Sequence, residues 1–277
     1  MEIICTEASP LPPSTVSITP MPHASARAPS LWAALGLIAT YFLVQAVVGT
    51  LFVLVASVTT TFSHTGQGLD RAIPVMLAQP SMQALLAMLS LGLAASLTLW
   101  LARWKWPQVW PLAAPPGFGF TSPARPWFLA LAVAAGLTAP LLGGLLTQLL
   151  AHDHTVTQDI QQLGGSTPLG LRIPLALIVV SLGPLVEELL FRGVLLSALL
   201  QRWHVGWAVA ISSLAFALIH LPGLQFQWYA LPDLALLALA LAWLRLRSGS
   251  IWPAVLAHAV NNLLAVAGWF VALNLPG

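Results

Sequence analysis

Long apolar runs decide what this chain can fold into. Seven of them, at about residues 31–58, 81–101, 127–150, 172–201, 205–221, 229–244 and 251–273, approach the roughly 20 residues that carry a helix across a bilayer. Backbone groups in lipid have no water to bond, so such runs must form helices or closed barrels. Barrel strands alternate apolar and polar residues over short segments, and these runs do not. Charge is correspondingly scarce: 6% of residues are charged and 58% are hydrophobic, whereas a soluble protein carries about 25% charged residues. The expected fold is all-α, a polytopic transmembrane helical bundle of about seven membrane helices with its functional groups inside.

The chain divides into a tail, residues 1–29, and a single membrane domain, residues 30–277. Pro10, Pro12, Pro13, Pro20, Pro22 and Pro29 among Ser, Thr and Ala lead to the expectation of a disordered cytoplasmic tail. The one cysteine, Cys5, excludes an internal disulfide framework and a cysteine-built zinc site. Residues 107–126, rich in Pro and Gly, read as a plain linker. A net charge of +2 is too weak and scattered to argue for nucleic acid. Lys and Arg instead report orientation, because cytoplasmic loops collect them. With the N-terminus inside, the inner loops hold Arg27, Arg103, Lys105, Arg125, Arg202, Arg245 and Arg247, and the outer ones only Arg71 and Arg172.

Against that background Glu187, Glu188 and Arg192 stand out, since they interrupt an apolar run from Ile173 to Leu200. A charge near the centre of a membrane helix costs about 2.5–3.5 kcal/mol on insertion scales, so such residues are functional candidates that need partners. His220, His258 and Asn262, in later apolar segments, are the candidates for that role. Glu188 and Arg192 are four apart and share a helix face, which suits an ion pair. Glu187 points about 100° away, free to face a cavity as a general base on water. His258 and Asn262 share a face in the same way, as do Phe216 and His220. Counting from their turns, Glu187 and His220 both lie roughly 24 Å deep but His258 only about 12 Å, at 1.5 Å per residue. The three therefore meet only if the hairpin of segments four and five extends about two helical turns beyond the turn near Ser250.

Glu-Glu-x-x-x-Arg at 187–192, Phe-x-x-x-His at 216–220 and His-x-x-x-Asn at 258–262, in that order on successive helices, resemble the CPBP family. These are the CAAX-processing and bacteriocin-processing intramembrane proteases, also called the Abi family. The resemblance covers a core at about residues 170–273. It implies a membrane-sunk site opening toward the cytoplasm and an intramembrane endopeptidase that hydrolyses a peptide bond in a membrane-associated protein or peptide. It further implies Glu187 as general base, His220 assisting, His258 and Asn262 binding the water or the oxyanion, and Glu188 with Arg192 in support. A metalloprotease form is left open: Zn²⁺ on His220, His258 and Glu187 would keep a fourth position for water. Asn262 as an oxyanion donor suits the metal-free form better.

Polar residues in membrane helices most often serve helix–helix hydrogen bonds, and that reading stands beside the catalytic one for each of these residues taken singly. Two other functions compete: a proton- or cation-coupled carrier using the same carboxylates and histidines, and a pseudo-protease scaffold. No internal repeat of the transporter kind is visible, and a scaffold has no need for all six groups. The Ala- and Leu-rich chain reads as bacterial, which places it in an inner membrane with substrates in the bilayer, and bacteriocin processing or immunity among its roles.

Overall fold

A computed structural model describes residues 28–63, 69–152 and 159–271, so the expectation for the tail falls almost wholly outside the described residues. Nine helices are described: α1 (Leu31–Ser63), α2 (Leu69–Leu77), α3 (Pro80–Lys105), α4 (Trp127–Ala151), α5 (Asp159–Ser166), α6 (Leu169–Leu200), α7 (Val205–Ile219), α8 (Leu231–Ser248) and α9 (Trp252–Val271). No strand occurs among the described residues. Six of these helices are long and apolar enough to cross a membrane, and α7 is a shorter apolar helix, which gives the expected bundle of about seven. Leucines such as Leu141, Leu145 and Leu149 on α4 stand exposed on the outside, as lipid-facing residues must. The two short helices α2 and α5 appear in stretches that carry no membrane-length apolar run.

Helix boundaries follow local chemistry. Pro80 opens α3, where a missing N–H costs nothing. Gly249, at φ +67°, ends α8 in the left-handed conformation that glycine adopts without strain. Asp233 in the first turn of α8 and Arg245 with Arg247 in the last oppose the helix dipole. On α4 the buried Ala132, Gly136, Ala139 and Gly143 form one small-residue face. A Cβ at Gly136 would strike Ala257 and Val260 of α9, and one at Gly143 would strike the Asp233 carboxylate of α8. Membrane helices pack closely through such residues, and α4 thereby clamps α8 and α9 together.

α5 roofs the end of the bundle away from Arg103, Lys105 and Arg202. Gly164 lies so close to the Trp269 ring of α9 that a Cβ there would overlap the indole, and the Trp269 indole N–H donates to Gln161 Oε1 at 2.9 Å. Arg172, counted as an outer-loop charge in the sequence, is buried and donates to the Thr167, Trp269 and Gly165 carbonyls, which close the ends of α5 and α9. Gly164→Leu is expected to lift α5 off α9 and destabilise the fold by about 1–3 kcal/mol, the usual cost of overpacking. A thermal melt in detergent reads this.

The Pro- and Gly-rich residues 107–126 are not the plain linker expected. They fold back as a collar, with Phe118 N–H donating to Val109 O at 2.9 Å and Ile251 N–H to Gly119 O at 2.8 Å. Phe118 is fully buried, and Trp110 stacks on Phe120 at 3.9 Å. The reason is aromatic: prolines break the helix, but Trp110, Phe118 and Phe120 still need burial and find it under the bundle. Arg245, expected as an exposed inner-loop charge, is buried here and donates to Ala113 O (2.8 Å) and Gly117 O (2.6 Å). Gly119, at φ +80°, leaves no room for a Cβ beside that guanidinium.

Candidate active site

The site is built on an irregular stretch of α6. Pro184 has no N–H to give its own turn, and the helix responds by widening: residues Ile178–Leu182 and Leu189–Leu195 are π-helical, flanking Gly183–Glu188. Gly183 N–H now bonds Ile178 O instead of Val179 O. The carbonyl of Val179 is left over, and the Asn262 amide of α9 donates to it at 3.0 Å. Asn262 therefore lines the site with part of its hydrogen-bonding capacity committed to α6. Asn262→Ala is expected to orphan that carbonyl at a cost of about 1–3 kcal/mol. Thermal unfolding of the variant in detergent measures it.

The second π turn carries Arg192 inward. Arg192 Nη1 donates to Glu188 Oε1 at 3.1 Å, with both side chains fully buried, as the spacing predicts. Arg192 Nη2 donates to Ala238 O on α8 at 3.0 Å, and the guanidinium lies 4.4 Å over the Phe216 ring of α7. The same Glu188 oxygen accepts from His258 Nδ1 at 3.0 Å. An ionised carboxylate only accepts, so His258 carries its proton on Nδ1 and turns Nε2 toward the cavity. His220, the residue that ends α7, is held similarly: its Nδ1 lies 2.7 Å from Phe216 O, which also can only accept. Phe216 sits between the rings, 4.7 Å from His220 and 5.6 Å from His258.

Both Nε2 atoms face Glu187. Its Oε2 stands 3.7 Å from His220 Nε2 and 3.8 Å from His258 Nε2. These gaps exceed hydrogen-bond length and suit a small third partner held by all three groups. The three residues, with Asn262, line a cavity of about 650 Å³. The three groups meet although their counted depths differ, and Ser197 of α6 and Arg245 of α8 hold the same Gly117 carbonyl. The wide π turns also shorten the rise along α6 to Glu187.

Two imidazole nitrogens and a carboxylate oxygen, each histidine braced from behind, are donors of the type that zinc accepts. No group of three His, Cys, Asp or Glu among the described residues is arranged to hold a metal ion. The donor types fit and the spacing is not that of a formed cage.

All six sequence candidates thus gather from α6, α7 and α9, with Glu188 and Arg192 behind and Glu187, His220, His258 and Asn262 lining the cavity. Asp233, in the first turn of α8, also lines the cavity. Tyr41 and Gln45 of α1 were missed; they line a second cavity of about 270 Å³ that also ends on Glu187 and His220. Polar residues four apart inside the first apolar run were the signal available.

The family-model match falls on the same segment. Residues 169–264 match the family model described as "Type II CAAX prenyl endopeptidase Rce1-like". Over 95 residues the chain is 30% identical to the "Putative membrane peptidase YdiL" of Bacillus subtilis (strain 168), a stretch that makes up 34% of this chain and 37% of that protein. No solved structure matches. The family-model match includes all six motif residues, and the two comparisons together show the chain's resemblance to membrane peptidases of the CAAX-processing kind.

Proposed function

We propose that the protein is an intramembrane endopeptidase that hydrolyses a peptide bond in a membrane-associated protein or peptide, with water activated by Glu187. The observation that carries this reading is the convergence of Glu187, His220 and His258 from three helices on one cavity, with the outward nitrogen of each histidine aimed at the same carboxylate oxygen. Peptidase kinship of the segment that supplies them supports it.

Glu187 takes a proton from a water held among the three groups as the water oxygen attacks the peptide carbonyl carbon. Charge then develops on the carbonyl oxygen. In its doubly protonated form His258 donates Nε2–H to the oxyanion while Glu188 supports the imidazolium from Nδ1. Collapse of the tetrahedral centre breaks the C–N bond, and Glu187 returns its proton to the leaving amine. His220, held by Phe216 O, orients the water. Were zinc bound, His220, His258 and Glu187 would hold it, and it would supply Lewis-acid lowering of the water's pKa.

The test is cleavage of a membrane-peptide library by the purified protein in detergent, with and without a zinc chelator. Cleavage that survives the chelator is the expected result. Cleavage lost with chelator and restored by zinc would move the water activation onto the metal. No cleavage, with Glu187-dependent ion flux in liposomes, would replace the peptidase by a carrier.

A further inference from the structure

The cavity at Glu187 does not stand alone. A larger vestibule, about 830 Å³, adjoins it and is lined by the first turn of α3, by α5 and by the 3₁₀ turn Pro222–Leu224. That volume lies within the range of sites that enclose a ligand. His220 and Ile160 line both spaces, so the vestibule opens onto the histidine that faces Glu187. Among the described residues, no comparable approach leads to Glu187 from the opposite end. Below Glu187 lie the buried Glu188 and Arg192, then Phe118 at 0% exposure and the collar pinned by Ser197, Arg245 and Ile251.

The two ends also differ in charge. Arg103, Lys105, Arg125, Arg202, Arg245 and Arg247 all belong to the collar end. The vestibule end holds Arg71, on α2, and Arg172, which is buried in carbonyl contacts. Cytoplasmic ends collect Lys and Arg. An orientation set by these residues and the site open to the cytoplasm that the family resemblance implies therefore cannot hold together.

We propose that substrate enters from the non-cytoplasmic face through this vestibule, and that the substrate is an internal segment of a polypeptide anchored in the membrane, next to its transmembrane helix on that face. This rests on the peptidase reading above. The lining chemistry selects the class of substrate. Gln83, Gln162 and Ser166 offer donors and acceptors suited to an extended peptide backbone, among apolar residues such as Ile160 and Leu224. Among the described residues, the one acidic lining residue is Asp159, and no Lys or Arg lines the vestibule. A free C-terminal carboxylate or a phosphate headgroup would need such a cation, whereas a mid-chain segment needs none.

Gly223 provides the probe, because it lines the vestibule and a Cβ there meets nothing within 4 Å. In a Cys5→Ser background, Gly223→Cys and, on the collar, the exposed Leu112→Cys are each treated with a membrane-impermeant maleimide. The expected result is labelling of Gly223→Cys in intact cells, labelling of Leu112→Cys only after permeabilisation, and at least a tenfold loss of cleavage in the labelled Gly223→Cys protein alone. The reverse labelling pattern would overturn the side of entry and leave the peptidase reading intact. Labelled Gly223→Cys protein that cleaves normally would overturn the vestibule as the route. The accessibility arm needs no activity, so absence of cleavage by unlabelled protein separately removes the peptidase reading and the substrate inferred from it.

Discussion

Glu187→Gln is expected to lower the rate of peptide cleavage at least about a hundredfold, within the range a positioned general base contributes, while leaving the fold as stable as the parent. The substitution keeps shape and removes only the capacity to take a proton. It spares the packing around it, because Glu187 is partly exposed at 19%, against 0% for Glu188 and 5% for His258. Neither histidine depends on it for orientation: His258 is held by Glu188 and His220 by Phe216 O. The loss should therefore appear in kcat with little change in KM, since the carboxylate acts on water rather than on the peptide. Glu187→Asp should recover part of the rate if proton transfer is the role, limited by the shorter side chain. A Glu187→Gln protein that cleaves at the parental rate would end the assignment of Glu187 as the base, whatever the chelator result.

What the sequence made legible was whatever spacing on one helix decides. The Glu188–Arg192 pair and the separate direction of Glu187 follow from 100° per residue, and the structure shows both. The number and nature of the membrane helices follow from apolar length alone. What spacing cannot show is a contact between helices far apart in the chain. That Glu188 also binds His258, 70 residues away, depends on how α6 and α9 pack. The engagement of Asn262 with Val179 depends on a π turn whose only trace in the sequence is Pro184. The collar was misread for a related reason. Proline and glycine announce the absence of a helix, and the burial of Phe118 and Arg245 beneath it is a property of the surfaces they meet.

The Glu188–Arg192–His258 cluster is expected to show the largest effect on stability. Arg192→Met should destabilise the protein by about 3–5 kcal/mol, the usual result of stripping one partner from a buried ion pair. Glu188 would keep only His258, in a site with no access to solvent. The double variant Glu188→Met with Arg192→Met should recover much of that loss, because a buried pair is often no more stabilising than apolar residues of similar volume. The existing pair is not fully satisfied: Glu188 Oε2 and Arg192 Nε have no hydrogen-bond partner among the described residues. The same Glu188 oxygen also holds His258 Nδ1 at 3.0 Å, so the cluster fixes that ring as well as pairing the charges. The double variant is thus expected to melt near the parent in detergent yet cleave at least about tenfold more slowly, since outer partners of active-site histidines typically matter by 10–100-fold. If Arg192→Met melts with the parent, the pair is not the buried anchor described. If the double variant folds and cleaves normally, Glu188 does not serve the reaction through His258.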